Sequence, residues 1–365
     1  MKLSVKLNLS PLRLVAALLF ATGFAAAQAE ALPKVIRIGV ASPAVGDNIY
    51  TTGSIGIAHH KHLIEDEFAK DGVTVEWYFY KGAGPAVNEA LSNKQLDFAF
   101  QGDLPSIIGR ASGLKTRYLF PTDSRQNLYV AVPPDSTIQS VKDLAGKRVA
   151  LSKGTNAQLP TNRLLDANGL TERDVKIVNL ENATAQQALA TRDIDGVFGG
   201  FEYLKFRNKG QARIVFSSAQ DPRFSRRSGF LVTEEFLKEY PQATVRVAKG
   251  ILRAARWASD EANRDQVFEL WSKMGNPADV YREDFLGFPL RVRLNPLLDP
   301  FILQRYKEAV ADSFKYKLTR KQFDAEQWIY PTVLNTALKE LELENYWTPT
   351  DSSGKPTSVK TLASR

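Results

Sequence analysis

The sequence predicts an α/β protein of two tandem lobes, each built on a mostly parallel central sheet. Three observations predict it. Strand-like apolar runs alternate with helical stretches from Val35 to Phe120, the same alternation restarts after position 127, and 365 residues suffice for about two domains. A composition of 44% hydrophobic and 24% charged residues is that of an ordinary globular chain. It excludes a disordered, collagenous or polytopic membrane protein. There is no cysteine, so disulfides, thiolate metal sites and cysteine nucleophiles are excluded as well.

In the first lobe, Val35 to Val40 reads as a strand. Ile55 to Lys70 has helical spacing, with Ile57, Ile64 and Phe68 on one side. Thr74 to Tyr80 alternates large residues as a strand does. Ala86 to Ser92 is a short helix, Leu96 to Phe100 a strand, Leu104 to Ser112 a helix and Arg117 to Phe120 a strand. The second lobe repeats the pattern with strands at Asn127 to Val132, Lys147 to Leu151, Lys176 to Leu180, Asp193 to Phe198 and Ala212 to Phe216. Its helices are expected at Val141 to Leu144, at Asn156 to Asn168 (closed by Gly169) and at about 184–191 and 202–208. A long helical region follows from Glu234 to about Glu344, punctuated by Pro241, Pro277, Pro296, Pro300 and Pro331. Residues 346–365 are polar and read as a C-terminal tail.

Residues 1–29 have the organisation of a cleaved secretory signal. Lys2, Lys6 and Arg13 precede an apolar run from Leu14 to Ala27, and Ala27-Gln28-Ala29 offers a small-residue cleavage site. With no cysteine after it, no lipid anchor is expected. Removing this segment lowers the formal charge from +8 to +5. That mild excess suits attraction of anions. It is spread along the chain, with no basic run carrying interleaved aromatics, so no nucleic acid is expected.

Open α/β sheets bind ligands beyond the carboxyl ends of their strands, near helix N-termini. Three strand-to-helix turns there are small and polar: Tyr50-Thr51-Thr52-Gly53-Ser54, Gly102-Asp103-Leu104-Pro105-Ser106 and Ser152-Lys153-Gly154-Thr155-Asn156-Ala157-Gln158. Each offers backbone N–H groups and short polar side chains to an oxyanion. Ordinary helix capping by Thr52, Asp103 and Thr155 is the competing explanation of each turn taken alone.

These residues and their order resemble the substrate-binding proteins of ABC importers for aliphatic sulfonates, taurine and nitrate. The resemblance is carried by Arg37-Ile38-Gly39, Gly53-Ser54-Ile55-Gly56, Ala83-Gly84-Pro85, Gly102-Asp103-Leu104-Pro105, Asp143-Leu144-Ala145-Gly146-Lys147-Arg148-Val149-Ala150 with Lys153-Gly154-Thr155, and Ala188 to Gly196. It spans about residues 35 to 335. It implies a type II periplasmic binding protein fold, with a discontinuous lobe 1 (30–126 and 228–345), lobe 2 (127–227) and a two-segment hinge near Asn127 and near Phe224 to Phe230. It also implies a periplasmic, monomeric, non-catalytic protein, without cofactor or metal, that delivers a small organic anion to an inner-membrane permease. By the same resemblance the ligand site comprises Gly53, Ser54, Gly102, Asp103, Thr155, Asn156 and Gln158, with Asp103 expected to cap its helix or orient a neighbour.

Two departures bear on the ligand. Gly199-Gly200-Phe201-Glu202-Tyr203 stands where sulfonate binders carry tryptophan and Asp-Pro, and Ala41 to Thr52 looks like an insertion. Gly200 is thus expected to open volume, with Phe201 and Tyr50 on the rim, favouring a bulky or aromatic tail. Arg125, Arg226 and Arg227 flank the hinge, and one of them is expected to clamp the anion through its forked guanidinium; the sequence does not say which. His59-His60-Lys61-His62 reads as a solvated helix face rather than a metal site. The Gly82-Ala83-Gly84 turn lacks the third glycine of a dinucleotide fingerprint. The rival readings are the same fold binding nitrate, bicarbonate or a thiamine-precursor pyrimidine, and, from another class, a secreted enzyme.

Overall fold

The computed structural model describes Met1, residues 32–42 and residues 51–358; the rest of the leader expected at 1–29, and Tyr50, lie outside them. Among the described residues ten strands run in the order β1 (Val35–Val40), β2 (Thr74–Phe79), β3 (Phe98–Gly102), β4 (Thr116–Gln126), β5 (Tyr129–Val132), β6 (Arg148–Leu151), β7 (Lys176–Asn179), β8 (Gly196–Gly199), β9 (Arg213–Ser217) and β10 (Arg226–Thr233). They form two five-stranded sheets, β2-β1-β3-β10-β4 and β7-β6-β8-β5-β9. Pairings of β1 with β2 and β3, and of β6 with β7 and β8, are parallel. One strand in each sheet is reversed: β10 between β3 and β4, and β5 between β8 and β9. Both reversed strands are those that begin where the chain has just crossed between sheets. A crossing strand enters the new sheet at its ligand-facing end and must run away from it, opposite to strands that finish there.

The sequence had not suggested β10 as a strand. Its core is the short apolar run Phe230-Leu231-Val232, all buried, behind a polar start that pairs Arg226 with Gln126. The two crossings therefore touch each other, β4 meeting β10 along its last residues.

The helix expected over Ile55 to Lys70 is broken. Gly53–His60 ends at a turn where His62 takes a positive φ of 55°, and a second short helix covers Glu65–Phe68. Downstream, Pro241, Pro300 and Pro331 each occupy the first position of a helix (Pro241–Ala258, Pro300–Lys315, Pro331–Glu340). There the missing N–H costs nothing and the fixed φ is already helical. The helix Pro241–Ala258 lays Val247, Ala248, Ile251, Leu252 and Ala255 into the first core, against Ile55, Ile57 and Ile64. The second core is separate and smaller, gathered around Val130, Val132, Val149, Leu151, Leu164 and Leu165.

The described part of the expected tail is packed down. Trp347 is 2% exposed and donates its indole N–H to Ser259 at 3.1 Å. Thr350 bonds Asp299 through its N–H (2.8 Å) and its hydroxyl (2.7 Å). An aromatic residue, one backbone N–H and one hydroxyl hold a segment whose composition alone reads as loose. No helix among the described residues is long and apolar enough to cross a membrane.

Candidate functional site

A cavity of about 180 Å³ lies between the lobes, at the ends of β1, β3 and β4 and beside the two crossings. Lobe 1 contributes Ser42, Thr51, Thr52, Gly53 and Phe100, with Asp123 and Gln126 from β4 and Ser228 from β10. Lobe 2 contributes Asn156, Asn182, Phe201 and Glu202, and Arg226 stands at the start of β10. Trp271, Met274, Tyr281, Phe285 and Arg293, from the helical region after residue 264, complete the wall.

The lobes meet closely here. The Asn156 side-chain amide donates to Gln126 Oε1 at 3.1 Å, and Gln126 Nε2 in turn donates to Ser228 Oγ at 3.0 Å. Gly102 lies under Asn156 so tightly that a Cβ on Gly102 would run into the Asn156 side chain. A Cβ on Gly154 would likewise come within 3.0 Å of the Pro85 ring. The structure is thus a closed arrangement of the two lobes around the cavity.

Of the residues expected from sequence, Gly53, Asn156 and Phe201 line the cavity. Gly53 opens its helix at φ +72°, a region that disfavours side chains. Thr52 holds the N-cap position without capping the helix through its side chain, so the first-turn N–H groups point toward the cavity end uncapped by it. Asn182 begins a second helix whose N-terminus also lacks a side-chain cap.

The other expected residues stand behind this surface. Ser54 is buried in its helix and does not line the cavity. The Thr155 hydroxyl is spent within its own turn, donating to Ser152 O at 2.7 Å and accepting from the Ala157 N–H at 3.3 Å. Gln158 accepts the Gly154 N–H at 2.8 Å and donates to Glu172 at 2.8 Å. Asp103 is buried, accepts the Leu104 N–H at 2.8 Å and faces Arg227 at 4.0 Å. Burial pushes its carboxyl up, against the pull of Arg227. Asp103 is the first residue of its helix, whose N-cap is Gly102 and which has no side-chain cap, so the carboxylate stands behind the cavity beside Arg227. The volume expected beside Gly199-Gly200 is filled: a Cβ on Gly199 would run into the Tyr203 ring, and one on Gly200 into the Arg226 guanidinium and Glu202.

The three hinge arginines have different surroundings. Arg125 turns away, into a separate hollow with Asp299 and Thr350, where it donates to Gly354 O at 3.3 Å and lies 4.6 Å over the Phe301 ring. Arg227 is buried; burial draws its pKa down to about 10 despite Asp103. Arg226 is the one that lines the cavity. Its Nε donates to Asn127 O at 3.0 Å, which anchors the guanidinium base while its terminal nitrogens make no ion pair among the described residues.

Sequence reasoning missed the far wall. Arg293, 2% exposed, donates to Asp284 Oδ2 at 2.7 Å and to Asp123 Oδ2 at 3.1 Å. Burial works against its charge, yet the two carboxylates outweigh burial and raise its pKa above the ordinary value. Asp284 also accepts from the Tyr129 hydroxyl at 2.8 Å and from Asn127 at 3.0 Å, tying the first crossing to this network. Beside it Phe201 packs on Tyr281 at 4.9 Å, and Tyr281 meets Trp271 edge-on at 5.8 Å. The Trp271 indole N–H is buried without a partner. The only sequence signal was the density of aromatics in 268–288, which helical spacing alone assigns to a core.

Among the described residues no three His, Cys, Asp or Glu side chains gather as they would around a metal ion. His59 instead packs edge-on against Trp77 and Phe79, at 4.9 and 5.2 Å.

Two sheets with one reversed strand each, a double crossing and a cleft between lobes define the class of the periplasmic binding proteins. The chain belongs to the NMT1/THI5-like family, whose description matches residues 66–264. A putative aliphatic sulfonates-binding protein of Bacillus subtilis is 28% identical over 310 residues, covering 84% of this chain and 89% of that protein. Among solved structures, the putative periplasmic sulfonate-binding protein SsuA of a sulfonate ABC transporter from Methylobacillus flagellatus KT is 33% identical. It superposes with a TM-score of 0.76, covering 87% of this chain and 98% of its own. The desulfurization enzyme DSZB shares the fold at 18% identity and a TM-score of 0.62, covering 85% of this chain and 100% of its own. The same scaffold therefore also carries an enzyme, and function has to be argued from the site.

Proposed function

We propose that this chain is the solute-binding component of an ABC importer: it captures an organic sulfonate between its lobes in the periplasm and delivers it to a membrane permease. The observation that carries this reading is Arg226, a guanidinium held by its Nε, with its terminal nitrogens facing a closed cavity beside two uncapped helix N-termini. A sulfonate presents three oxygens. Arg226 serves two in fork geometry, and the N–H groups and hydroxyls of Thr51, Thr52 and Gly53 with the amides of Asn156 and Asn182 serve the third. The wall of Phe201, Tyr281, Trp271 and Met274 takes the organic tail. An inorganic anion leaves that wall unused. The proposed contact set keeps Gly53, Asn156 and Phe201; Ser54, Gly102, Asp103, Thr155, Gln158 and Gly200 shape it from behind.

No covalent step is needed. Micromolar capture corresponds to about −8 kcal/mol, and charge-assisted hydrogen bonds contribute about 1.5–3 kcal/mol each. Calorimetric titration with an alkanesulfonate and an arenesulfonate tests the assignment. Arg226→Ala is expected to lose about 1.5–3 kcal/mol, roughly 10- to 150-fold, whereas Arg125→Ala stays within about twofold of the parent because its charge lies in the other hollow. An Arg226→Ala protein that binds as tightly as the parent overturns the assignment.

A further inference from the structure

The hollow that takes Arg125 is larger than the cleft, about 250 Å³ against about 180 Å³. Ser124 and Arg125 line it from the end of β4, residues 289–302 from the helical region, and Thr348, Thr350 and Pro356 from the C-terminal segment. None of these residues belongs to the lobe of the second sheet, so movement of the lobes leaves the hollow whole. Its C-terminal wall is fixed in place. Thr350 O accepts the Phe301 N–H at 3.3 Å, Thr348 O accepts the Asn295 amide at 3.0 Å, and the Thr357 N–H closes a short hairpin onto Pro349 O at 2.9 Å. A ligand entering such a hollow does not have to order it first.

Three charged side chains line it: Arg125, Arg291 and Asp299. Asp299 is already engaged, Oδ1 accepting the Ile302 N–H at 3.0 Å and Oδ2 the N–H and hydroxyl of Thr350 at 2.8 and 2.7 Å. It acts on Arg125 through space, without an ion-pair contact, and burial outweighs its support of the charge. The Arg125 guanidinium lies 4.6 Å over the Phe301 ring and donates from Nη2 to Gly354 O at 3.3 Å; its Nε and Nη1 bond no described residue. Ser124 is 4% exposed, and its hydroxyl makes no hydrogen bond among the described residues. Arg291 is exposed and stacks 4.3 Å over Tyr346, making no ion pair among the described residues. Much of the remaining wall is apolar: Pro289, Val292, Leu297, Ile302 and Pro356. The hollow thus combines one net positive charge, a half-buried guanidinium with donors to spare, and hydrocarbon surface. Donors left short of acceptors beside apolar walls are costly.

We infer that this hollow is a second ligand site, for a small aliphatic monocarboxylate, with the carboxylate on Arg125 and the chain along Leu297, Ile302 and Pro356. A single negative charge balances the lining. Two oxygens in one plane suit the edge of a guanidinium, and the apolar wall takes the hydrocarbon. The site is independent of whatever the cleft binds.

The test is calorimetry on the full chain with acetate, butyrate and hexanoate, and with hexan-1-ol as the uncharged counterpart. Affinity is expected to rise with chain length, by up to about fourfold per methylene, until the hollow is filled. Hexanoate is expected to bind about tenfold or more tighter than hexanol. Arg125→Met keeps an apolar stem beside Phe301 and removes the donors. It is expected to lose about tenfold or more in hexanoate affinity, with alkanesulfonate binding within about twofold of the parent. Arg125→Lys keeps the charge without the fork and should fall between the two; it carries the comparison if Arg125→Met melts well below the parent. Arg226→Ala, which weakens the cleft, should leave hexanoate binding unchanged. Hexanoate that binds no tighter than hexanol, that keeps its affinity in both Arg125 variants, or that is lost in Arg226→Ala overturns the inference, the last by placing the acid in the cleft.

Discussion

At the scale of single residues, the cleft depends on which charges are already spoken for. Arg226 and Arg293 both line it, but Arg293 is enclosed by Asp123 and Asp284 and holds the wall rather than the ligand. Its guanidinium also stacks 3.6 Å over Phe285. Removing one partner of a buried pair leaves the other uncompensated, at a cost of about 3–5 kcal/mol. Arg293→Met fills similar volume while stranding two carboxylates, so it should lower stability by about that amount. Urea denaturation measures it. A loss below about 1 kcal/mol would mean that the carboxylates are neutral or water-bridged in the parent. The triple change with Asp123→Asn and Asp284→Asn should recover much of the loss, because no charge is then left buried alone.

At the scale of elements, the contact between Gly102 and Asn156 sets how far the lobes close. Gly102 has an ordinary φ of −65°, so alanine is tolerated by the backbone itself. The added Cβ would meet Asn156 across the cleft. Gly102→Ala is therefore expected to leave the fold's stability nearly unchanged while biasing the lobes open. Apparent affinity falls by the fraction of closed molecules lost, about tenfold for a bias of about 1.4 kcal/mol. Small-angle scattering should show the variant more expanded than the parent at the same ligand concentration. Parent-like affinity and dimensions would show that Asn156 simply swings aside. The turns themselves were legible in the sequence because glycines, hydroxyls and a Pro105 in the first helical turn are local signals. What each turn does was not. Ser54 and Thr155 have the chemistry of ligand donors, yet one is buried in its helix and the other bonds its own turn. Equally, β10 escaped notice because it opens on three polar residues and a glycine, and only tertiary pairing with β3 and β4 makes them a strand. Arg293, Trp271 and Tyr281 lie some 145 to 170 residues from Asp123 or Arg125, and no local pattern reports a contact made at that separation.

For the whole molecule, two populations of ionisable groups set the response to acid. Asp135, Asp143, Asp174 and Asp260 are exposed carboxylates held below the usual range: Asp135 chiefly by a hydrogen bond from Arg192, Asp143 by the Gln139 N–H, Asp174 by Thr171 and Asp260 by the Ala262 N–H. A depressed carboxylate contributes stability above its unfolded pKa of about 3.9 and loses it as pH falls through the folded value. Asp103, Asp123 and Asp299 are the opposite case, raised chiefly by burial. Their ionised form is a cost to the fold, which protonation relieves as pH drops toward about 4. His59 adds a third effect at higher pH. Burial lowers its pKa, and the neutral ring packs between Trp77 and Phe79. A histidine depressed in the fold gives its full contribution above the unfolded pKa of about 6.5, and that contribution drains away as pH falls below it. Melting curves should therefore show a shallow loss of Tm beginning near pH 6.5, relief of that loss as the buried aspartates protonate, and a steep fall only below about pH 4. His59→Phe keeps the edge-on aromatic packing and removes the titrating ring, so it should flatten the first of these slopes and leave the steep acid limb where it was. A variant that retains the slope between pH 7 and pH 5 would assign it elsewhere, with His60, also lowered by burial, the next group to replace.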